Sequence, residues 1–174
     1  AAAALTRRVQ ALRAHVGGRL GELGAIVFGR GPGAFTGVRT ACAVAQGLAF
    51  AARPQGLPVL PLDTLWAVAE EARASLAARV ANGQPAPGTI AAVLDARMDE
   101  VYVASYAWLA DALTPLDAPR LCRPEDLHLA VPAVAGTVLA GNAVAAYGDR
   151  FGAALLALPH VPCLPTAAAL LRLA

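Results

Sequence analysis

AIVFGRGPGAFTGVRT, residues 25–40, passes from a short apolar run through a glycine-rich loop into a run of small residues. Ala25, Ile26, Val27 and Phe28 are consecutive apolar residues without helical spacing, the pattern of a strand buried on both faces. Gly29 ends it. Gly29, Gly31, Gly33 and Gly37 fall close together around Pro32. Glycine alone reaches positive φ without steric cost, so the backbone here takes a path closed to side chains. From Val38 to Ala52 there is no proline and much alanine, which predicts a helix with Thr36 in its N-cap region. Strand, glycine loop and helix N-terminus form the general arrangement that holds an anion, because free amides and the helix dipole point into the loop. Gly31, Gly33, Thr36 and Gly37 are therefore the candidate anion or nucleotide contacts. The specific phosphate motifs are absent: no lysine follows as GxxxxGKS/T requires, and Phe35 or Thr36 stands where GxGxxG needs its last glycine. A purely structural turn accounts for the same residues equally well.

At 174 residues, 57% of them hydrophobic, the chain has material for one sizeable domain or two small lobes. The net charge is +2, and the fourteen basic residues are spread along the sequence with Arg7 and Arg8 the one adjacent pair. That argues against a dedicated nucleic-acid groove. All fourteen are arginine, so Schiff-base chemistry and a phosphate-loop lysine are excluded. Ser75 and Ser105 are the only serines and neither sits in GxSxG, which leaves a serine nucleophile little support. Cys42, Cys122 and Cys163 are widely spaced and odd in number. They suit a reducing cytosol better than a disulfide framework or zinc site, and read as small core residues. His15, His128 and His160 share no ligand spacing, so no metal site is expected. Residues 127–148 and 151–171 carry no Asp, Glu, Lys or Arg, yet Pro132, Gly136, Gly141 and Asn142 interrupt the first and Pro159, Pro162 and Pro165 the second. Neither reads as a membrane span. The opening alanines run into Arg7 and Arg8, the reverse of a signal peptide's order, so none is expected.

Leu5, Val9, Leu12 and Val16 step by four, three and four, predicting an amphipathic helix over 3–16 ended by Gly17 and Gly18. The helix from Val38 has almost no polar face, which implies burial on all sides with a partner covering one of them. Leu57 to Leu62 reads as a strand with Pro58 and Pro61, and Asp63 as the cap of a helix with Leu65, Ala69, Ala72, Leu76 and Val80 on one face. NGQPAPG, residues 82–88, has the composition of a linker and places the lobe boundary there, giving lobes 1–88 and 89–174. Thr89 to Leu94 and Val101 to Tyr106 predict a hairpin across the turn Asp95 to Glu100. Its Asp95, Arg97 and Glu100 are either a binding cluster or a salt-bridged turn. Pro124 opens a short helix, Gly136 to Ala140 reads as a strand, and Asn142 as the cap of a helix to Phe151.

GRGPGAFTGVRT with AVAQGLAFA behind it (29–51), and VLDARMDEVY (93–102), closely resemble the TsaB (YeaZ) family. That family is the dimerization subunit of the bacterial machinery that makes threonylcarbamoyladenosine beside the anticodon of tRNA. The resemblance runs from about Leu5 to the last residues, is strongest at those motifs and weakens after Arg120. It implies an α/β, two-lobed actin-like ATPase fold of the ribonuclease-H-like type. Family members open with a strand bearing an Asp-Thr-Ser type turn and continue past the last helix seen here. That N-terminal hairpin is missing from these residues, so the first lobe is expected to be partial.

The resemblance also implies a non-catalytic scaffold. The catalytic relative follows a similar glycine-rich segment with an HxxxH-type metal-binding histidine pair, where this chain reads VLPLDTLWAVAEE, residues 59–71, without histidine. The implied partners are the catalytic threonylcarbamoyltransferase paralogue (TsaD type) and the associated ATPase subunit (TsaE type), with a homodimer in their absence. Contact with tRNA would be indirect, with no catalytic residue, cofactor or membrane, in the cytoplasm. The interface is expected on Leu5, Val9 and Leu12 of the first helix and on Phe35, Thr36, Val38, Arg39, Ala41, Cys42, Ala45 and Ala49 of the second, where small side chains admit a partner helix. The alternative is an enzyme acting on its own, an actin-like-fold ATPase or a peptidase, with Asp63, Asp95 and Asp99 as the available carboxylates. Direct tRNA binding is disfavoured by the charge distribution.

Overall fold

The computed structural model describes residues 2–129 and 136–174, apart from the side chains of Ala2, Arg13 and Val16. Pro132, expected to interrupt an apolar run, lies outside the described residues. The chain forms two compact units, residues 1–63 and 64–173.

In the first unit α1 (Ala2–Val16) leads to β1 (Ile26–Gly29), α2 (Phe35–Ala52) and β2 (Val59–Leu62). β1 and β2 run parallel from Ile26 opposite Val59 to Gly29 opposite Leu62, a pairing that needs a crossover helix between them. That helix is α2, which packs on β1 and β2 and is itself contacted by α1. The four β1 residues are half-buried instead of buried on both faces. Among the described residues β1 pairs with β2 alone, and α2 is the main helix against it. α2 begins three residues earlier than the sequence predicts. Ala34 is its N-cap, without a side-chain cap bond, and Thr36 sits inside the first turn. The Val38 N–H closes that turn onto the Ala34 carbonyl at 3.0 Å, so Pro32, Gly33 and Ala34 enter the helix without a hydroxyl cap.

The second unit contains α3 (Thr64–Ala81), β3 (Thr89–Arg97), β4 (Glu100–Leu109), β5 (Ala112–Pro115), β6 (Arg120–Cys122), β7 (Thr137–Ala140), α4 (Ala143–Tyr147), α5 (Ala153–Leu156), β8 (His160–Val161) and α6 (Ala167–Leu173). Its sheet has the order β5-β4-β3-β7-β8, with β6 also paired to β4. β3 is antiparallel to β4 and parallel to β7. The apolar run of β3 is buried on both faces, as alternating side chains require in a central strand. Ile90, Ala92 and Leu94 pack with Leu65, Val68 and Ala72 of α3, whereas Ala91 and Val93 pack with Leu139, Ala143 and Phe151 on the opposite face.

α3 therefore belongs to the second unit. The boundary read at residues 82–88 is a largely exposed loop inside that unit, and the compact units divide between Asp63 and Thr64. The cause is the α3 face itself: Leu65, Val68, Ala69, Ala72 and Leu76 are all buried in the second unit's core. The hairpin is present but tighter than predicted, since β3 extends to Arg97 and β4 starts at Glu100. Asn142 precedes α4 without a side-chain cap bond, because its Oδ1 accepts the Asp95 N–H at 3.0 Å instead. The predicted helix to Phe151 is shortened to α4 and a 3-10 turn, Gly148–Arg150. Cys42, Cys122 and Cys163 are free thiols, half-buried at the margins of the packing and not inside it.

Candidate functional site

The glycine loop sets where α2 starts and which way it faces. Gly31 is buried at φ 109°, a conformation side chains rarely adopt, and a Cβ there would lie 3.8 Å from Val38 Cγ2. Val38 thus packs against the loop from the helix's own first turn. Arg30, following β1, forms a two-pronged pair with Asp63, following β2: Nε donates to Oδ1 at 2.7 Å and Nη2 to Oδ2 at 3.2 Å. That hydrogen bond holds the Arg30 guanidinium above its ordinary pKa. Asp63, offered by the sequence as a carboxylate for catalysis, is engaged in fastening the strand ends. Gly31, Gly33, Thr36 and Gly37 are brought together in the loop and first turn, with Gly31 buried and the other three exposed.

Beyond the loop, α2 turns one stripe to solvent. Thr36, Arg39, Ala43, Gly47 and Phe50 follow at steps of three, four, four and three, the spacing of one helix face, and all are exposed. Phe35 is 68% exposed and Phe50 86%. The Arg39 guanidinium lies 3.8 Å over the Phe35 ring, a cation–π contact that orders both side chains. A groove of 510 Å³ runs along this face, lined by Phe35, Thr36, Arg39, Thr40, Ala43 and Val44. Covering aromatic side chains left in water beside small residues would gain free energy that the free unit forgoes.

The expected interface residues divide by side. Phe35, Thr36 and Arg39 are exposed; Val38, Ala41 and Cys42 are half-buried; Ala45 and Ala49 are 4% and 5% exposed on the inner face. On α1, Leu5 and Leu12 are exposed and Val9 is half-buried. The small-residue argument thus picks out Ala45 and Ala49, which the unit's own packing covers. Ala43, Gly47 and Phe50 share the exposed face with Thr36 and Arg39 and were not among the expected residues; the signal that finds that face is the three-four stepping onward from Thr36 and Arg39.

In the second unit the polar members of VLDARMDEVY form a locked turn. The Asp95 carboxylate accepts the Arg97 N–H at 2.7 Å and the Tyr147 hydroxyl at 2.9 Å. The bond to Asp95, then burial, pushes the Tyr147 hydroxyl above its ordinary pKa. Arg150 donates to Glu125 at 2.5 Å and to Asp99 at 2.8 Å. Arg97, Met98 and Asp99 all take positive φ, at 67°, 52° and 62°. These ion pairs hold a conformation that non-glycine residues adopt only under constraint. Among the described residues no group of three or more His, Cys, Asp or Glu is placed to hold a metal ion.

Residues 2–155 match the family TsaD, tRNA N6-adenosine threonylcarbamoyltransferase. The solved structure of YeaZ from Pseudomonas aeruginosa superposes on 99% of this chain and 74% of its own, with a TM-score of 0.81 and 34% sequence identity. The chain belongs to the TsaB (YeaZ) family. Its α/β architecture is accordingly the actin-like, ribonuclease-H-like fold that the glycine motif and VLDARMDEVY imply. Two curated relatives are each called tRNA threonylcarbamoyladenosine biosynthesis protein TsaB. That of Haemophilus influenzae is 42% identical over 94 residues, and that of Escherichia coli 41% over 99. These matches cover 54% and 56% of this chain but 35% and 37% of the relatives, so the matched part spans about a third of their length.

Proposed function

We propose that this TsaB-family chain is a non-catalytic scaffold in the formation of threonylcarbamoyladenosine in tRNA, next to the anticodon. It binds and activates the catalytic threonylcarbamoyltransferase paralogue through the outer face of α2 together with α1, and works beside the associated ATPase subunit. The tRNA is engaged only indirectly, and the setting is cytoplasmic. The observation that carries this reading is the solvent-facing stripe that ends in Phe50, with the exposed Phe35 lining the groove at the start of α2. The names of the relatives supply the pathway. The segment 59–71, without a histidine pair, supports a scaffold over a metal-dependent transferase. No helix among the described residues is long and apolar enough to cross a membrane.

The test is reconstitution with the paralogue, the ATPase subunit and tRNA. The chain alone is expected to transfer no threonylcarbamoyl group, and its addition to raise the paralogue's product yield. Product formed by the isolated chain, or ATP or peptide hydrolysis by it at a rate indifferent to the paralogue, would falsify the scaffold reading. Phe50→Ala is expected to weaken paralogue binding by about 2 kcal/mol, roughly thirtyfold, as truncation of an aromatic anchor does. Titration calorimetry of wild type and variant checks it.

A further inference from the structure

We propose that a cavity inside the second unit binds a small carboxylate carried on an apolar body. The sheet leaves room for it at one corner. β8 has only two residues, with His160 beside Leu139 and Val161 beside Ala140, so Thr137 and Val138 at the start of β7 have no β8 neighbour. Pro159, just before β8, carries no N–H with which to carry the ladder further. The last turns of α3 and the loop 84–88 close over that corner and leave a cavity of 470 Å³, the size of a small-molecule site. Leu76 and Val80 of α3, Pro85 and Pro87 of the loop, and Val138 and Val161 of the strands supply its apolar walls. The two prolines have fixed φ, so the loop wall has little freedom to lose when a ligand settles against it.

Arg79 decides the charge of the ligand. It stands in the last turn of α3, lines the cavity and is exposed. Its Nε donates to Gln84 Oε1 at 2.7 Å, and its own carbonyl accepts the Gln84 N–H at 3.1 Å, so helix end and loop hold the guanidinium between them. None of the ion pairs among the described residues uses Arg79, and its Nη groups have no hydrogen-bond partner there. His160 also lines the cavity, but its Nε2 lies 3.4 Å from the Gly141 carbonyl oxygen, an engagement within the chain. The sequence has no lysine to add a second cation. One positioned guanidinium matches one carboxylate in the forked geometry that arginine favours, whereas a phosphate dianion calls for further donors. The apolar walls select against a fully hydrophilic anion, which would give up its hydration there without replacement.

The test uses the whole chain labelled with nitrogen-15 and two probes of one shape, phenylacetate and its neutral amide. Phenylacetate is expected to move the amide signals of Gly88, Val138 and Val161 with a dissociation constant on the order of 1 mM, and the neutral amide to bind roughly tenfold more weakly. Arg79→Met keeps an apolar stem without the charge. It should bring phenylacetate down to the level of the neutral probe, with unchanged circular dichroism. Val80→Trp places a ring in the cavity and should abolish the shifts from both probes. If that variant does not fold, Arg79→Met, at an exposed position, still decides the matter. Equal binding of the acid and the neutral probe overturns the proposal, as do shifts confined to amides away from the cavity or no shift with phenylacetate at about 10 mM. So does displacement of phenylacetate by an equal concentration of inorganic phosphate, which would assign Arg79 to a phosphate. None of these outcomes bears on the scaffold role, which rests on α2.

Discussion

Gly141 sits where β7 leaves the sheet, at φ 128°, and a Cβ at that position would lie 2.1 Å from the Val93 carbonyl oxygen of β3. Its N–H meanwhile donates to the Val161 carbonyl at 3.1 Å. Gly141→Ala therefore imposes both a forbidden backbone angle and an overlap with main chain that cannot swing aside. A loss of about 3 kcal/mol or more is expected, read as a lower urea midpoint with unchanged slope. Ala45 and Phe50 offer the opposite contrast on one helix. Arginine at Ala45, which is 4% exposed, drives a charge into the first unit's own packing, and Ala45→Arg should lose its folded circular dichroism before any question of association arises. Phe50→Ala should stay folded, within about 0.5 kcal/mol of wild type, because an 86% exposed side chain has little to lose. A well-folded Ala45→Arg protein would mean that the inner face of α2 is not core.

α6 is held to α3 by charge as well as by packing. Glu70, buried at 3% exposure, accepts Arg73 Nε at 2.7 Å, Arg73 Nη2 at 2.8 Å and Arg172 Nε at 2.7 Å. Arg172 reaches on to Glu71 at 3.0 Å. Thr166 donates to the same Glu71 oxygen at 2.7 Å and accepts the Ala169 N–H at 3.0 Å, capping α6. Burial by itself would raise the Glu70 carboxyl, but the hydrogen bonds from Arg73 and Arg172 outweigh it and hold it below its ordinary 4.5. With the folded value depressed, the stabilisation is present above pH 4.5 and is lost as pH falls through the lowered folded pKa. Arg172→Ala should cost about 1–2 kcal/mol at neutral pH, discounted for an arginine one-third exposed, and move the acid transition to higher pH. Acid titrations followed by circular dichroism would show an unmoved transition if the network is idle. Little of this was legible beforehand, because Arg172 lies 102 residues from Glu70 and no local pattern links them. β3 and β4 were legible, since an unbroken apolar run between turn residues has few other uses. The two sides of α2 were not: alanine and glycine occur all round it, so hydropathy gives no contrast and only the placement of β1 and β2 decides which alanines are covered. The unit boundary was missed for a related reason. NGQPAPG has a linker's composition, yet the division at Asp63 and Thr64 falls directly between β2 and α3, and Pro61 just before it lies within the strand.

Across the whole molecule, a net charge of +2 describes neither unit, and solution behaviour governed by charge should follow the arginine-rich first unit or the acid-rich second according to what is brought near. The clamped hairpin has a practical outcome of another kind. Met98 is the single methionine of the 174 residues, and the turn held by Asp95, Tyr147, Arg150 and Asp99 presents it 91% exposed. Its thioether can take up one oxygen from peroxide without disturbing any packed neighbour, while the Cys163 thiol, pushed up to about 11 by burial, stays protonated and slow to react. Carbon-13 at the Met98 methyl would give an NMR line that moves on oxidation, which makes the hairpin apex a ready-made spectroscopic reporter.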